Sequence, residues 1–357
     1  MPIISKVGSA SANVFGLCNG SNSPTNTVAP VVSGVPKTTR TLSVTNGTWI
    51  NSPTSYTYQW QRNNSTNIGG ATSSTYVVQN ADLGYTINCR VTAINAFGSS
   101  TANSNSTAAV TYGVYSATYF MIGGGGGGGS GSGGGGGGGG AGQYLYSSTN
   151  LNVGDTYNMV VGAGAGQGGT GASSSLGTIT AVGGNGGSSP GQGGTSGNGI
   201  SGGSAGGTGN FGGGGGGGAT GAGGGGYDSG SDVGIGGNGG AGVSTTITGS
   251  TLYFGGGAGA GGYYGYGTGS TGGGNGGKGS PTTGDTASTA GLANSGSGGG
   301  GWAYNRNLGS NDGGSGIVII LVPTSFYTGV YTGSSVIVST NGSNTVLQFL
   351  ANGSYTA

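Results

Sequence analysis

Several aromatic residues of this chain stand beside Asn, Asp or Arg inside a region that is otherwise mostly Gly. A flat ring can stack on the apolar face of a pyranose, while amides, carboxylates and guanidinium groups hydrogen-bond its hydroxyls. Tyr also gives a large contact area in protein recognition at a low entropic cost. The candidate binding residues are Tyr227, Asp228, Asp232, Tyr263, Tyr264, Tyr266, Trp302, Tyr304, Asn305 and Arg306.

A structural role is the alternative for each of these clusters, because some rings must cover the faces of the glycine region or contact a neighbouring subunit. We expect Leu252–Phe254 and residues 154–161 to pack structurally. A cation shared by Asp228 and Asp232 is a further alternative for that cluster. We predict that the protein binds no metal ion and no cofactor.

The composition gives catalysis little support. The chain has no His and no Glu, so nothing is present to activate a Ser or Cys nucleophile in the usual way. The Asp residues of the glycine region have no spacing that indicates a glycosidase pair. No Gly run is followed by the Lys-Ser/Thr of a phosphate loop. We therefore predict that the protein is not an enzyme.

The charge pattern excludes two classes of partner. The 357 residues carry a formal net charge of +1, so we expect no binding to nucleic acid or to an acidic membrane surface. The apolar runs are also too short for a membrane span or for the core of a signal peptide. We therefore expect no membrane insertion and no export by an ordinary signal.

Composition divides the chain into four segments. Residues 1–28 are small and polar, and we interpret them as an attachment segment. Residues 29–111 contain short alternating runs separated by turn residues, the pattern of a β-sandwich with Trp60 in its core. Residues 112–322 hold most of the 99 Gly residues, and residues 323–357 return to β-type alternation. Strands are predicted at 41–44, 55–63, 74–79, 85–96 and 105–110.

Three motifs of the second segment resemble bacterial and phage immunoglobulin-like repeats. They are Gly47-Thr48-Trp49, Tyr58-Gln59-Trp60 and Asp82-Leu83-Gly84, in the order that the family has them. The resemblance implies an immunoglobulin-like sandwich that acts as a spacer with weak adhesion. Cys89 falls on a strand that carries a disulfide in antibody domains, but no partner Cys is present on the opposing strand. We expect a buried free thiol.

Strong β-type runs bracket the glycine region at residues 116–122 and 316–322. Ordering Gly costs more backbone entropy than ordering any other residue, so backbone hydrogen bonds must supply most of the compensation. Extended three-fold helices without side chains can bond to neighbours in several directions. We therefore predict stacked polyglycine II helices, with pure Gly in the interior and small side chains at one position in three on the faces. A conventional glycine-rich β-structure, or a mixture of the two, is the alternative.

The runs at 119–142, 154–169 and 313–322 resemble the glycine-rich domain of phage tail-fibre and tail-tip proteins. The fold class that follows is all-β with almost no α-helix. The resemblance implies a virion adhesin of the tail fibre or tail tip, with loops of the glycine region contacting a host glycan or outer-membrane protein. Residues 1–28 would bind other virion proteins, and a homo-oligomer is left open.

Two other functions fit the composition. The first is a structural virion protein, such as a capsid decoration or a fibre shaft, without receptor binding. The second is a glycine-rich cellular surface or wall protein, which the missing signal peptide disfavours.

Overall fold

The computed structural model describes residues 22–131, 133–206, 211–229, 233–280, 284–304, 308–309 and 311–357. These residues are all-β, as predicted, and their helices are two single 3-10 turns at Asn80–Asp82 and Thr324–Phe326. No helix in this part of the chain is long and apolar enough to cross a bilayer. The chain divides into two compact units, one ending at Val114 and the other spanning Tyr115–Ala357. Residues 1–21 of the predicted attachment segment lie outside the described residues.

The described residues of the first unit form nine strands in three antiparallel sheets of order β1-β4, β2-β3-β7 and β6-β5-β8-β9. The strands are β1 (Thr25–Val28), β2 (Val32–Ser33), β3 (Thr41–Val44), β4 (Thr48–Ile50), β5 (Ser55–Arg62), β6 (Thr66–Asn67), β7 (Thr75–Val77), β8 (Ile87–Asn95) and β9 (Gly98–Asn103).

One apolar core joins the two larger sheets of this unit. Trp60 on β5 is fully buried and lies opposite Cys89 on β8. The Tyr76 ring on β7 lies 5.6 Å from the Trp60 ring, measured between centroids. Leu42 on β3 closes the same cluster. The predicted core position of Trp60 and the buried free thiol of Cys89 are confirmed.

The predicted strand at 105–110 is wrong, and the last strand of this unit is β9 instead. Polar side chains explain the difference. The Ser104 hydroxyl accepts the Cys89 backbone N–H at 2.9 Å, and the Thr107 hydroxyl accepts the Ile87 N–H at 3.0 Å. These side chains take bonds that a regular strand would make with β8, so the ladder is interrupted.

The second unit begins with β10, and its described residues form fourteen strands. They are β10 (Val114–Ile122), β11 (Tyr144–Asn152), β12 (Thr156–Val160), β13 (Ser174–Leu176), β14 (Ile179–Ala181), β15 (Tyr227–Asp228), β16 (Gly234–Ile235), β17 (Val243–Thr245), β18 (Leu252–Phe254), β19 (Ile317–Pro323), β20 (Tyr331–Gly333), β21 (Val336–Asn341), β22 (Asn344–Phe349) and β23 (Gly353–Thr356).

Two five-stranded sheets lie at the end of the glycine segments where β10 leads into them and β19 leads out. We name them the central sheet (β11-β10-β19-β22-β21) and the outer sheet (β14-β13-β12-β23-β20). Alternate residues of β19 point into a cluster shared by both sheets, and the others point into a second cluster with Phe254 of β18. Both faces of β19 are therefore covered, which explains its continuous apolar sequence. Segment 323–357 supplies strands to both sheets and belongs to the same compact unit as the glycine region.

The glycine segments follow a three-residue period. In residues 123–129, the backbone N–H groups point in three directions in turn, and every third residue donates to the same neighbouring segment. The three acceptor segments are residues 137–143, 169–172 and 311–314.

The Cα hydrogens of the same seven residues face three further segments, residues 182–188, 163–166 and 297–300. A Cβ at any of these glycines would lie closer than 3.0 Å to a backbone carbonyl, a separation that real Cβ atoms do not show. Each run thus has six neighbours and no space for a side chain. The runs at 135–140 and 212–218 have six neighbouring segments in the same way.

Outer segments keep the same period but carry side chains. In residues 182–188, Val182, Asn185 and Ser188 are exposed, whereas Gly184 and Gly187 between them are buried. The side chains thus occur at one position in three and point to solvent. The period explains why pure Gly runs alternate with mixed ones along the sequence.

Candidate functional site

The far end of the glycine runs, opposite the two sheets, brings several distant segments together. Run 123–129 leaves β10 and extends about 20 Å, at about 3.1 Å per residue for an extended three-fold chain. At its end the Trp302 N–H donates to the Gly129 carbonyl, and the Gly136 N–H donates to the Trp302 carbonyl. The Gly261 N–H donates to the Gly136 carbonyl, and the Gly213 N–H donates to the Gly261 carbonyl. We call this region the loop end and define it as residues 211–213, 227–229, 261–266 and 302–304.

Phe211 belongs to an aromatic cluster at the loop end. Its ring lies 4.8 Å from the Tyr304 ring in an edge-on arrangement and 6.1 Å from the Tyr263 ring. The Tyr263 ring also contacts those of Tyr304 at 5.5 Å and Tyr264 at 5.1 Å. Edge-on aromatic pairs of this kind add stability beyond the area they bury.

The predicted site residues Tyr227 and Asp228 also lie at the loop end, on strand β15, which pairs with β16. Tyr227 pairs with Ile235, and Asp228 with Gly234. The Tyr264 N–H donates to the Gly234 carbonyl at 3.0 Å. The Phe211 N–H donates to the Asp228 carboxylate at 3.5 Å. Residues from four separate parts of the sequence therefore form one surface.

Exposure separates the aromatic residues of this surface into two groups. Tyr227, Tyr264 and Tyr266 are 59%, 37% and 38% exposed. Phe211, Tyr263, Trp302 and Tyr304 are half-buried, and the indole N–H of Trp302 is buried without an acceptor among the described residues. The half-buried rings cover the ends of the glycine runs, and the exposed rings are available to a partner.

Phe211 is not among the predicted site residues, although its ring belongs to the cluster. Its signal in the sequence is its place directly before the glycine run 212–218. An apolar ring at the first position outside an interior run has to cover that end of the run. Asp232, Asn305 and Arg306, which were predicted for this site, lie outside the described residues.

Where the chain is described, no group of three or more His, Cys, Asp or Glu residues lies close enough to hold a metal ion. The polar groups that the described loop end offers are the Asp228 carboxylate, the Ser229 and tyrosine hydroxyls, the Trp302 indole N–H and backbone groups. This set suits hydrogen bonding and ring stacking.

A family model described as a glycine-rich domain matches residues 99–322 of this chain. No curated protein and no solved structure shows a significant match. The matched segment includes the interior glycine runs and every described residue of the loop end. Because it covers more than half of the sequence, the chain belongs to the glycine-rich domain family.

Proposed function

We propose that this protein is a phage virion adhesin of the tail fibre or tail tip, and that the loop end binds the host receptor. The observation that carries the proposal is the convergence of aromatic residues from four separate parts of the sequence on one end of the glycine runs.

The glycine runs are suited to hold such a surface in place. Each interior residue uses its backbone N–H in a bond to a neighbouring segment, so the loops emerge from a densely bonded support. A site built on a rigid support loses less entropy when it binds. The three exposed Tyr rings would stack on a pyranose or contact an outer-membrane protein, with the Asp228 carboxylate nearby as an acceptor.

We also propose the finer fold that accompanies this function. The three-residue hydrogen-bond period and the six neighbours of each run support polyglycine II helices in hexagonal packing. The shared core of two sheets around Trp60 supports an immunoglobulin-like spacer. The N-terminal segment would attach the protein to other virion proteins, and we propose no enzymatic activity.

The test compares exposed Tyr residues at the two ends of the second unit. The triple variant Tyr227→Ala, Tyr264→Ala, Tyr266→Ala should lose attachment to host cells by at least about tenfold, since aromatic anchors each contribute about 1–2 kcal/mol or more. The measurement is binding of the labelled full chain to intact cells of the bacteria that the parent particle infects. Circular dichroism and thermal unfolding establish that the variant is folded.

The matched control is Tyr146→Ala, Tyr253→Ala, at side chains that are 56% and 64% exposed on β11 and β18. We expect it to bind as the unchanged protein does. Equal binding by the folded triple variant would disprove the receptor role of the loop end. If the unchanged chain binds none of these hosts, the structural virion role replaces the adhesin, and its copy number on the particle becomes the next measurement.

A further inference from the structure

Strand β21 is an outer edge of the central sheet with unpaired backbone groups. It pairs with β22 in a continuous register from Val336↔Phe349 to Asn341↔Asn344, closed by a two-residue turn. The Leu350 N–H donates to the Ser335 carbonyl, so residues 335, 337, 339 and 341 bond to β22. The N–H and C=O groups of Val336, Val338 and Thr340 point away from the sheet. Within the described residues none of them has a backbone partner.

This edge lacks the features that usually prevent strands from pairing with other chains. Such features are charged side chains, Pro, bulges or a covering loop. The register with β22 has no bulge, and residues 313–357 contain no charged residue. Ile337 and Val338 are 47% and 38% exposed on the edge itself.

The neighbouring edge of the outer sheet adds to the same surface. Strand β20 is joined to β21 by a two-residue turn and is likewise the last strand of its sheet. Val330 and Tyr331 are 55% and 39% exposed there. Two adjacent sheet edges therefore present apolar side chains with no charge between them.

The edge is already ordered in the single chain. The Asn341 side-chain amide donates to the Ile247 carbonyl at 3.1 Å and holds the end of β21 in place. At the other end, Val336 packs against the cluster between the two sheets. A partner strand would thus pair with a preformed edge, which lowers the entropic cost of association.

We propose that β21 pairs with β21 of a second copy of this chain, in antiparallel orientation about a two-fold axis at Val338. The outward-pointing residues are symmetric about that position: Val336 would pair with Thr340 of the other copy, and Val338 with its own counterpart. Each of these three pairs can exchange two hydrogen bonds. Self-pairing is favoured because the edge is complementary to itself and carries no charge that would repel a copy.

This dimer would join two central sheets into one continuous sheet of ten strands. It is independent of the receptor role proposed for the loop end, because β21 lies at the sheets. The two proposals can therefore fail separately.

The first test is the oligomeric state in solution. We expect the full chain to be a dimer in light scattering coupled to size exclusion, dissociating on dilution. Val338→Lys should make it monomeric, since an edge Lys opposes its own counterpart across the axis. Val182→Lys, at a Val that is 44% exposed in a segment outside the sheets, should remain dimeric. A monomeric parent chain at its highest soluble concentration, a trimer, or a dimeric Val338→Lys would overturn the proposal.

The second test measures the register and does not depend on a disruptive substitution. The chain has two cysteines, Cys18 and the buried Cys89, so Cys18 is first replaced by Ser. In this Cys18→Ser background, Val338→Cys places two thiols at a pair whose Cα atoms are about 5.5 Å apart. Thr340→Cys places them four residues out of register, about 14 Å apart. A bismaleimide shorter than about 14 Å should cross-link Val338→Cys and leave Thr340→Cys monomeric. Equal cross-linking of both, or of neither, would contradict the axis at Val338.

Discussion

Cys89 is the residue whose chemistry the fold changes most clearly. It is fully buried between β5 and β9, and burial raises the pKa of its thiol from 9.0 to about 11. A buried thiolate would lack solvation, so the neutral form is favoured. The thiol is therefore a structural apolar group and not a nucleophile at neutral pH.

This pKa shift predicts a loss of stability at alkaline pH. Below pH 9 the thiol is neutral in both the folded and the unfolded chain, and its contribution is complete. Between pH 9 and about 11 only the unfolded chain ionises, so the free energy of unfolding falls by up to about 2–3 kcal/mol. Urea unfolding at several pH values measures it, and Cys89→Ala should lack this component. A parallel decline in both proteins would show that the thiol does not cause it.

At the scale of elements, the glycine runs and the strands follow different packing rules. A strand of the central sheet buries side chains on its two faces, whereas an interior glycine run buries only backbone. Gly139 illustrates the second rule: its N–H donates to Gly299 at 2.9 Å, and its Cα faces the Gly126 carbonyl. No repacking of side chains can make room there, because the neighbours are backbone.

Two alanine substitutions in the glycine region should therefore differ strongly. Gly139→Ala should destabilise the second unit by about 3 kcal/mol or more, since the added methyl group forces hydrogen-bonded backbones apart. Gly225→Ala adds a Cβ whose nearest neighbour is the Ser204 carbonyl at 3.9 Å, so its effect should stay within about 0.5 kcal/mol. Urea unfolding and soluble yield measure both. Similar stability of the two variants would contradict the six-neighbour packing of the runs.

At the scale of the whole molecule, the chain consists of two units with separate cores. The core around Trp60 contains only residues of the first unit, and the clusters around the central sheet contain only residues of the second. Separate cores of this kind favour separate unfolding transitions.

Trp60→Ala should consequently affect one transition only. The loss of a fully buried indole should destabilise the first unit by about 3–5 kcal/mol. Differential scanning calorimetry of the full chain should show one transition at lower temperature and the other unchanged. A shift of the entire endotherm as one transition would show that the two units unfold together.

The sequence by itself determined the class of structure and much of its local detail. Few charges, abundant Gly and alternating runs specify an all-β chain, and the strands around Trp60 follow from their two-residue period. The strand predicted at 105–110 failed because hydroxyls of Ser104 and Thr107 compete with the ladder, and their partners lie 15 and 20 residues away.

Only the tertiary structure decided which segments meet. A pure Gly run has no side chains to specify its neighbours, so its sequence predicts an interior position without saying what surrounds it. The contact of Phe211 with Tyr263 and Tyr304 depends on how runs that are far apart in the sequence align at their ends. The unpaired edge at Val338 likewise depends on the order of strands in the central sheet, which long-range hydrogen bonds and shared packing determine together.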